Sequence, residues 1–178
     1  MNKQTTYKNV VGLRCLRNIK KQTNDLYLVH CGQQKCPPGY TYDHKIPNEH
    51  HLHFVLDGKG VLIVHNKVHH IKKDDIFIIP KGVPIQYFAD SEDPWEYIWV
   101  TFDGTVASNY LSYAGLSDSN PVITSAIPTK VYLPLVQKIL DANELTYANE
   151  IKLVGYLFEI LGILIEAQSA LNRNKNQY

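Results

Sequence analysis

The sequence predicts an α+β fold, an antiparallel β-barrel followed by helices, on three grounds. From Leu26 to Gly104, short runs rich in Val, Ile, Tyr, Phe and Trp are broken by Gly, Pro, Asp or Asn every six to twelve residues. That spacing suits an antiparallel sandwich or barrel and leaves no room for helical crossovers. After Gly104 the apolar residues recur at helical spacing instead. The chain's 178 residues, 44% hydrophobic and 20% charged, suffice for one core and argue against global disorder.

The expected strands are Leu26–Cys31, His51–Leu56, Val61–His65, Val68–Ile71, Ile76–Ile79, Ile85–Ala89 and Trp95–Phe102. Asp57-Gly58-Lys59-Gly60 supplies a flexible turn, Asn66-Lys67 a tight hairpin and Asp74-Asp75 a reversal before a buried run. Pro80-Lys81-Gly82 and the loop from Asp90 to Pro94 close the remaining connections. Helices are predicted over Val106–Tyr113, Thr129–Ala142 and roughly Thr146 to Leu171. The divisions are thus an N-terminal arm (1–25), a barrel (26–104), a helical segment (105–171) and a polar tail (172–178).

Composition excludes several function classes. Eighteen Lys plus Arg against seventeen Asp plus Glu give a net charge of +1, without the basic excess of a nucleic-acid-binding domain. Met1–Asn9 has no apolar stretch of the kind a secretory signal carries. The three cysteines, Cys15, Cys31 and Cys36, have neither CxxC spacing nor the density of a disulfide framework. Together these predict a cytoplasmic protein. Leu153–Ile165, the longest apolar stretch, is thirteen residues interrupted by Glu159. A membrane span needs about twenty, so no membrane partner is expected.

That stretch is nevertheless apolar around most of its circumference, more than the ~100° stripe a surface helix needs. Either other helices of the chain cover the surplus or a second copy does, through an antiparallel two-fold pair. The second reading makes Tyr156, Leu157, Leu161 and Leu164 a homodimer interface, with Gly155 and Gly162 permitting close approach.

The residues for catalysis are not evident. There is no nucleophile elbow and no Gly-rich phosphate loop before a helix. His51 and His53 share one strand face and could begin a metal site, but further ligands are required. Ile85 stands after the Pro80-Lys81-Gly82 turn, where metal-binding barrels of the cupin type usually carry a His. No metal and no cofactor are therefore expected. The strand Trp95–Phe102 is more informative. One face carries Trp95, Tyr97, Trp99 and Thr101, the other Ile98, Val100 and Phe102. The apolar face reads as core against helices. The amphipathic face reads either as barrel filler or as a pocket for a sugar-like ligand, completed by Tyr87, Gln86, His51 and His53.

Several segments resemble the effector-binding domain of the AraC/XylS family. They are Cys36-Pro37-Pro38-Gly39-Tyr40, the run from His51 to Gly60, the run from Lys73 to Pro84 and the run from Asp93 to Gly104. The resemblance continues through Ala114-Gly115-Leu116 and Asn120-Pro121-Val122, and is nearest to regulators of sugar-utilisation operons. It implies a cupin-like (jelly-roll) barrel that binds a mono- or oligosaccharide effector, followed by helices that pair subunits. It implies ligand-binding roles for Trp99, Tyr97 and Tyr87. It also implies that DNA is bound by a separate C-terminal helix-turn-helix domain, which is expected to be absent from this chain. Relatives often carry an Arg before the second strand, where Ile46-Pro47-Asn48-Glu49 has none and Lys45 is near. The alternative reading is a stand-alone cupin enzyme, a metal-dependent sugar isomerase or oxygenase.

Overall fold

The structure is a computed structural model and describes residues 4–144 and 146–175. Among the described residues, eleven strands form two antiparallel sheets, with three α-helices packed outside them. The larger sheet contains β1 (Thr6–Val10), β2 (Leu13–Arg17), β3 (Tyr27–Lys35), β10 (Glu96–Asp103), β5 (His50–Asp57), β8 (Asp75–Ile79) and β11 (Val122–Thr124), in that order. The smaller runs β4 (Thr41–Lys45), β9 (Ile85–Ala89), β6 (Lys59–Val64), β7 (Lys67–Lys72). This is the cupin-like arrangement expected, with the second core between the two sheets.

Strand alternation divides the apolar residues between two cores. Ile98, Val100 and Phe102 of β10, with Leu52 and Phe54 of β5 and Ile76 and Ile78 of β8, face the helices. Trp95, Tyr97 and Trp99, with Val55 and Phe77, face the barrel interior. A bulge in the β3–β10 pairing, where Thr101 opposes His30 but Phe102 opposes Leu28, inserts Val29 as an extra residue. It lets Leu28 and Cys31, three apart, both reach the helical core while His30 turns inward.

The helices α1 (Ala107–Tyr113), α2 (Leu133–Asp141) and α3 (Tyr147–Lys175) cover the larger sheet, with a 3-10 turn at Thr129–Tyr132 leading into α2. Leu153, Leu157, Ile160, Leu161 and Leu164 of α3 are buried against the chain's own core. Each such side chain contributes about 1.5–3 kcal/mol by burial. By length and composition α3 would pass for a membrane span. Its inner face is instead core, and its outer face exposes Lys152, Glu159 and Glu166.

Several boundaries differ from the sequence reading. Residues 6–17 are not a detached arm: β1 and β2 form a hairpin on the sheet edge, and Cys15 and Leu16 are fully buried. The β6–β7 turn is His65-Asn66, both at positive φ (50° and 59°), not Asn66-Lys67. The short strands β1, β2, β4 and β11 lie outside the expected set because their apolar alternation is weak and their pairing is supplied by neighbours distant in sequence. Residues 172–175 continue α3, while 176–178 and the side chain of Lys45 lie outside the described residues.

The expected dimer face is also corrected. Leu157, Leu161 and Leu164 are 0–2% exposed within the chain, so they cannot meet a second copy. Tyr156 is half-buried, with the Lys138 ammonium 5.6 Å from its ring centre. The apolar residues α3 leaves exposed are Tyr147, Ile151 and Phe158, flanked by half-buried Val154 and Ile165. The wide apolar circumference is thus two stripes, one of them packed against α1, α2 and β3.

Candidate functional site

The site is a cavity of about 220 Å³ at one end of the barrel interior. Its back wall is made by three neighbouring strands in register. Trp99 of β10 lies between Gly32 of β3 and His53 of β5, and Tyr97 between Gln34 and Val55. One step toward the barrel end, Thr101 lies between His30 and His51. Tyr87 of β9 and Tyr40 and Tyr42, at and beside β4, close the opposite side, and Arg17 and Asn18 stand at the rim.

Glycine makes room for the indole. A Cβ on Gly32 would fall 2.3 Å from the Trp99 ring, so only glycine lets that ring come so close to β3. Trp99 Nε1–H donates to His30 Nδ1 at 2.9 Å. The bond fixes the tautomer: His30 Nδ1 is the acceptor, so the proton sits on Nε2. A second chain of bonds crosses the cavity. Tyr97 donates its hydroxyl to Gln34 Oε1 at 3.3 Å, and Tyr87 donates to the Tyr97 oxygen at 3.3 Å.

The three imidazoles are packed closely. His30 and His51 have ring centres 5.0 Å apart, and His53 stacks on Phe77 at 4.5 Å. Burial, the largest cause, pushes His30 down to about 3 and His51 to about 4, with neighbouring positive charge adding to both. Burial likewise holds His53 well below its ordinary value. Burial pushes the Tyr87 and Tyr97 hydroxyls up. At neutral pH the inner wall is therefore uncharged and rich in groups that donate and accept hydrogen bonds. Among the described residues no three His, Cys, Asp or Glu side chains are placed to hold a metal ion.

Of the expected ligand-binding residues, Trp99, Tyr97, Tyr87, His53 and His51 all line this cavity. Trp95 does not. It is fully buried below the cavity, stacked on Phe77 at 5.6 Å, with its ring against Gly60, where a Cβ would fall 2.4 Å away. Trp95 is therefore filler. Gln86 also points elsewhere: it alternates with Tyr87 and lies in a groove on the outer side of the smaller sheet. The sequence reading missed His30, Gln34, Tyr40, Tyr42, Arg17 and Asn18. A signal existed for His30 and Gln34, which with Gly32 alternate along one face, but the expected strand stopped at Cys31.

The sequence matches the AraC-like ligand binding domain over residues 27–171. The chain belongs to the AraC-like ligand-binding domain family. Among similar proteins, it is 36% identical over 143 residues to the Msm operon regulatory protein of Streptococcus mutans, covering 80% of this chain and 51% of that one. It is 26% identical over 151 residues to the lactose operon transcription activator of Staphylococcus xylosus, covering 84% and 54%. It is 32% identical over 126 residues to the raffinose operon transcriptional regulatory protein of Pediococcus pentosaceus, covering 70% and 41%. The chain thus spans about half the length of these relatives. Among solved structures, a variant of Bacillus subtilis oxalate decarboxylase aligns with a TM-score of 0.42 at 14% identity, covering 68% of this chain and 30% of that one. The cupin domain of Schizosaccharomyces pombe Cnp3 aligns with a TM-score of 0.38 at 14% identity, covering 64% and 70%.

Proposed function

We propose that this AraC-like domain is the sensory half of a cytoplasmic, sugar-responsive transcription regulator, without catalytic activity of its own. The observation that carries the reading is the cavity itself: an indole face, two phenols and neutral imidazoles around about 220 Å³ of space. Such a lining stacks on the C–H face of a sugar ring and exchanges hydrogen bonds with its hydroxyls. The operons named for two of the similar regulators make lactose and raffinose the first saccharides to try. A thermal-shift screen against mono-, di- and trisaccharides tests the reading, since binding raises stability by RT ln(1 + [L]/Kd). A saccharide-dependent rise that Trp99→Ala removes is expected. No shift with any saccharide at high concentration would refute it.

A second copy of the chain is the proposed partner of the outer stripe of α3. An antiparallel two-fold pair centred near Phe158 sets Gly155 of one copy opposite Gly162 of the other. It also brings Lys152 near the other copy's Glu166, so the flanking charges complement each other. A Cβ on either glycine meets nothing in the chain, so that side of the helix is open to close approach. DNA contact belongs to sequence beyond the matched half of the relatives. Saccharide binding acts on it by favouring one arrangement of the paired subunits over another, which requires different affinity for the two.

A further inference from the structure

We infer that a groove between α1 and the larger sheet is a second binding site, separate from the barrel cavity, and takes a small aliphatic amine in its ammonium form. The inference stands independently of the saccharide reading.

The sheet itself separates the two sites. His50 and His51 are neighbours on β5, and their side chains alternate. His51 lines the barrel cavity, while His50 lines a groove of about 400 Å³ on the helical side. The floor of that groove is aliphatic: Ile78 of β8, Leu111 of α1 and Leu116 just after it are each no more than 2% exposed. Ser108 and Ser112, one turn apart on α1, line it from the solvent side. So do Ser117, Asp118 and Ser119, which belong to a tight turn. Backbone bonds of 3.1 Å run both ways between Ser117 and Asn120, and Asn120 Nδ2 donates to Gly115 O at 2.6 Å. Ile78 N–H donates to Pro121 O at 2.8 Å, which ties the turn to the floor.

Charge selects the occupant. Asp118 carries the one formal charge among the described side chains that line the groove. His50 adds none, because burial holds it below its ordinary value. Its Nδ1 accepts the Lys81 backbone N–H at 3.5 Å, which leaves Nε2–H to donate to Ser108 Oγ at 3.2 Å. The nearby Lys81 ammonium is paired with Asp103. An ammonium group has three N–H donors, and the Asp118 carboxylate and the serine hydroxyls supply acceptors for them. Its alkyl chain leaves water by covering Ile78, Leu111 and Leu116. A carboxylate or phosphate would meet Asp118 with no lining cation to offset it. A sugar would find neither an indole nor a phenol to stack on.

The test is an amide NMR titration of the purified chain with hexylamine, hexan-1-ol and hexanoate at neutral pH and low salt. Hexylamine should give saturable shifts at the amides of Ile78, Ser112, Leu116 and Asp118. Hexan-1-ol should bind roughly threefold or more weakly, the scale of one exposed charge, and hexanoate should give no saturable shift there. High salt should narrow the gap between amine and alcohol, and Asp118→Asn should close it. Ser112→Trp, at an exposed position, should block the groove, while Trp99→Ala should leave hexylamine binding unchanged. The inference is overturned if hexylamine gives no saturable shift, if it binds no tighter than the alcohol, or if its preference survives Asp118→Asn. None of these results depends on what the barrel cavity binds.

Discussion

Trp95, just before β10, and Trp99 within it lie four residues apart and both face the barrel interior, yet one fills the barrel and the other borders a hollow. Each indole lies against a glycine, Gly60 for Trp95 and Gly32 for Trp99. What differs is the opposing surface. Trp95 meets Phe77 at 5.6 Å and 18°, with Tyr87 and Tyr97 edge-on, and is left with no exposure. Trp99 meets Tyr97 edge-on at 5.9 Å and the smaller rings of His30 and His53 at 6.3–6.4 Å, and the tyrosines of the smaller sheet face it across the cavity. A strand can thus present two similar residues while the elements facing it decide which packs and which binds.

The comparison can be broken most severely by Trp95→Ala, which opens a void in a sealed core and should cost about 3–5 kcal/mol in urea unfolding. Trp99→Ala should cost about half as much, since its site already borders open space, yet weaken saccharide binding at least a hundredfold by calorimetry. An equal stability loss from both would deny that the two ends of the barrel differ. Next comes overpacking. Gly60→Ala should destabilise by about 1–3 kcal/mol with the cavity intact. Gly32→Ala, whose Cβ would meet both the Trp99 ring and the Arg14 backbone oxygen at 2.7 Å, should also impair binding.

Acid should separate the two ends as well. The folded pKa values of His30 and His51 lie below the ordinary 6.5, at about 3 and 4, and that of His53 is also depressed. Their contribution is full above pH 6.5. It declines as pH falls from 6.5 toward those values, because the unfolded chain takes up protons that the folded wall excludes. The loss should be on the order of 1–2 kcal/mol per ring by pH 5. Unfolding midpoints at pH 7.5 and 5.0 measure it, and His51→Gln should reduce the difference. The smallest effect is expected far from the cavity. Arg14 and Asp141 are paired at 2.5 Å but exposed, so Asp141→Asn should change stability by about 0.5 kcal/mol and leave binding unaltered.

Much of the barrel was legible because it is written locally. Alternation along Trp95–Phe102 assigned every residue to its correct face, with Ile98, Val100 and Phe102 in the helical core and Trp95, Tyr97 and Trp99 inside the barrel. The same alternation misled where a face has two depths: Trp95 and Trp99 share a side but not an environment. Gln34 escaped notice because the expected strand stopped at Cys31, four residues short of the end of β3, and without it His30 had no partner along the face to mark it. On α3, an apolar circumference showed that two surfaces had to be covered. It did not show that Leu157, Leu161 and Leu164 belong to the inner one.

The sequence alone determined seven of the eleven strands described, the three helices after them, the two faces of Trp95–Phe102 and the family, since these follow from short-range periodicity and from motifs contiguous in the chain. Only the tertiary structure decided that the barrel is hollow at one end, that the N-terminal hairpin contributes its rim, and which stripe of α3 is free. Those properties depend on side chains brought together from strands tens of residues apart. Whether space remains among them is fixed by their combined volumes and not by any one of them.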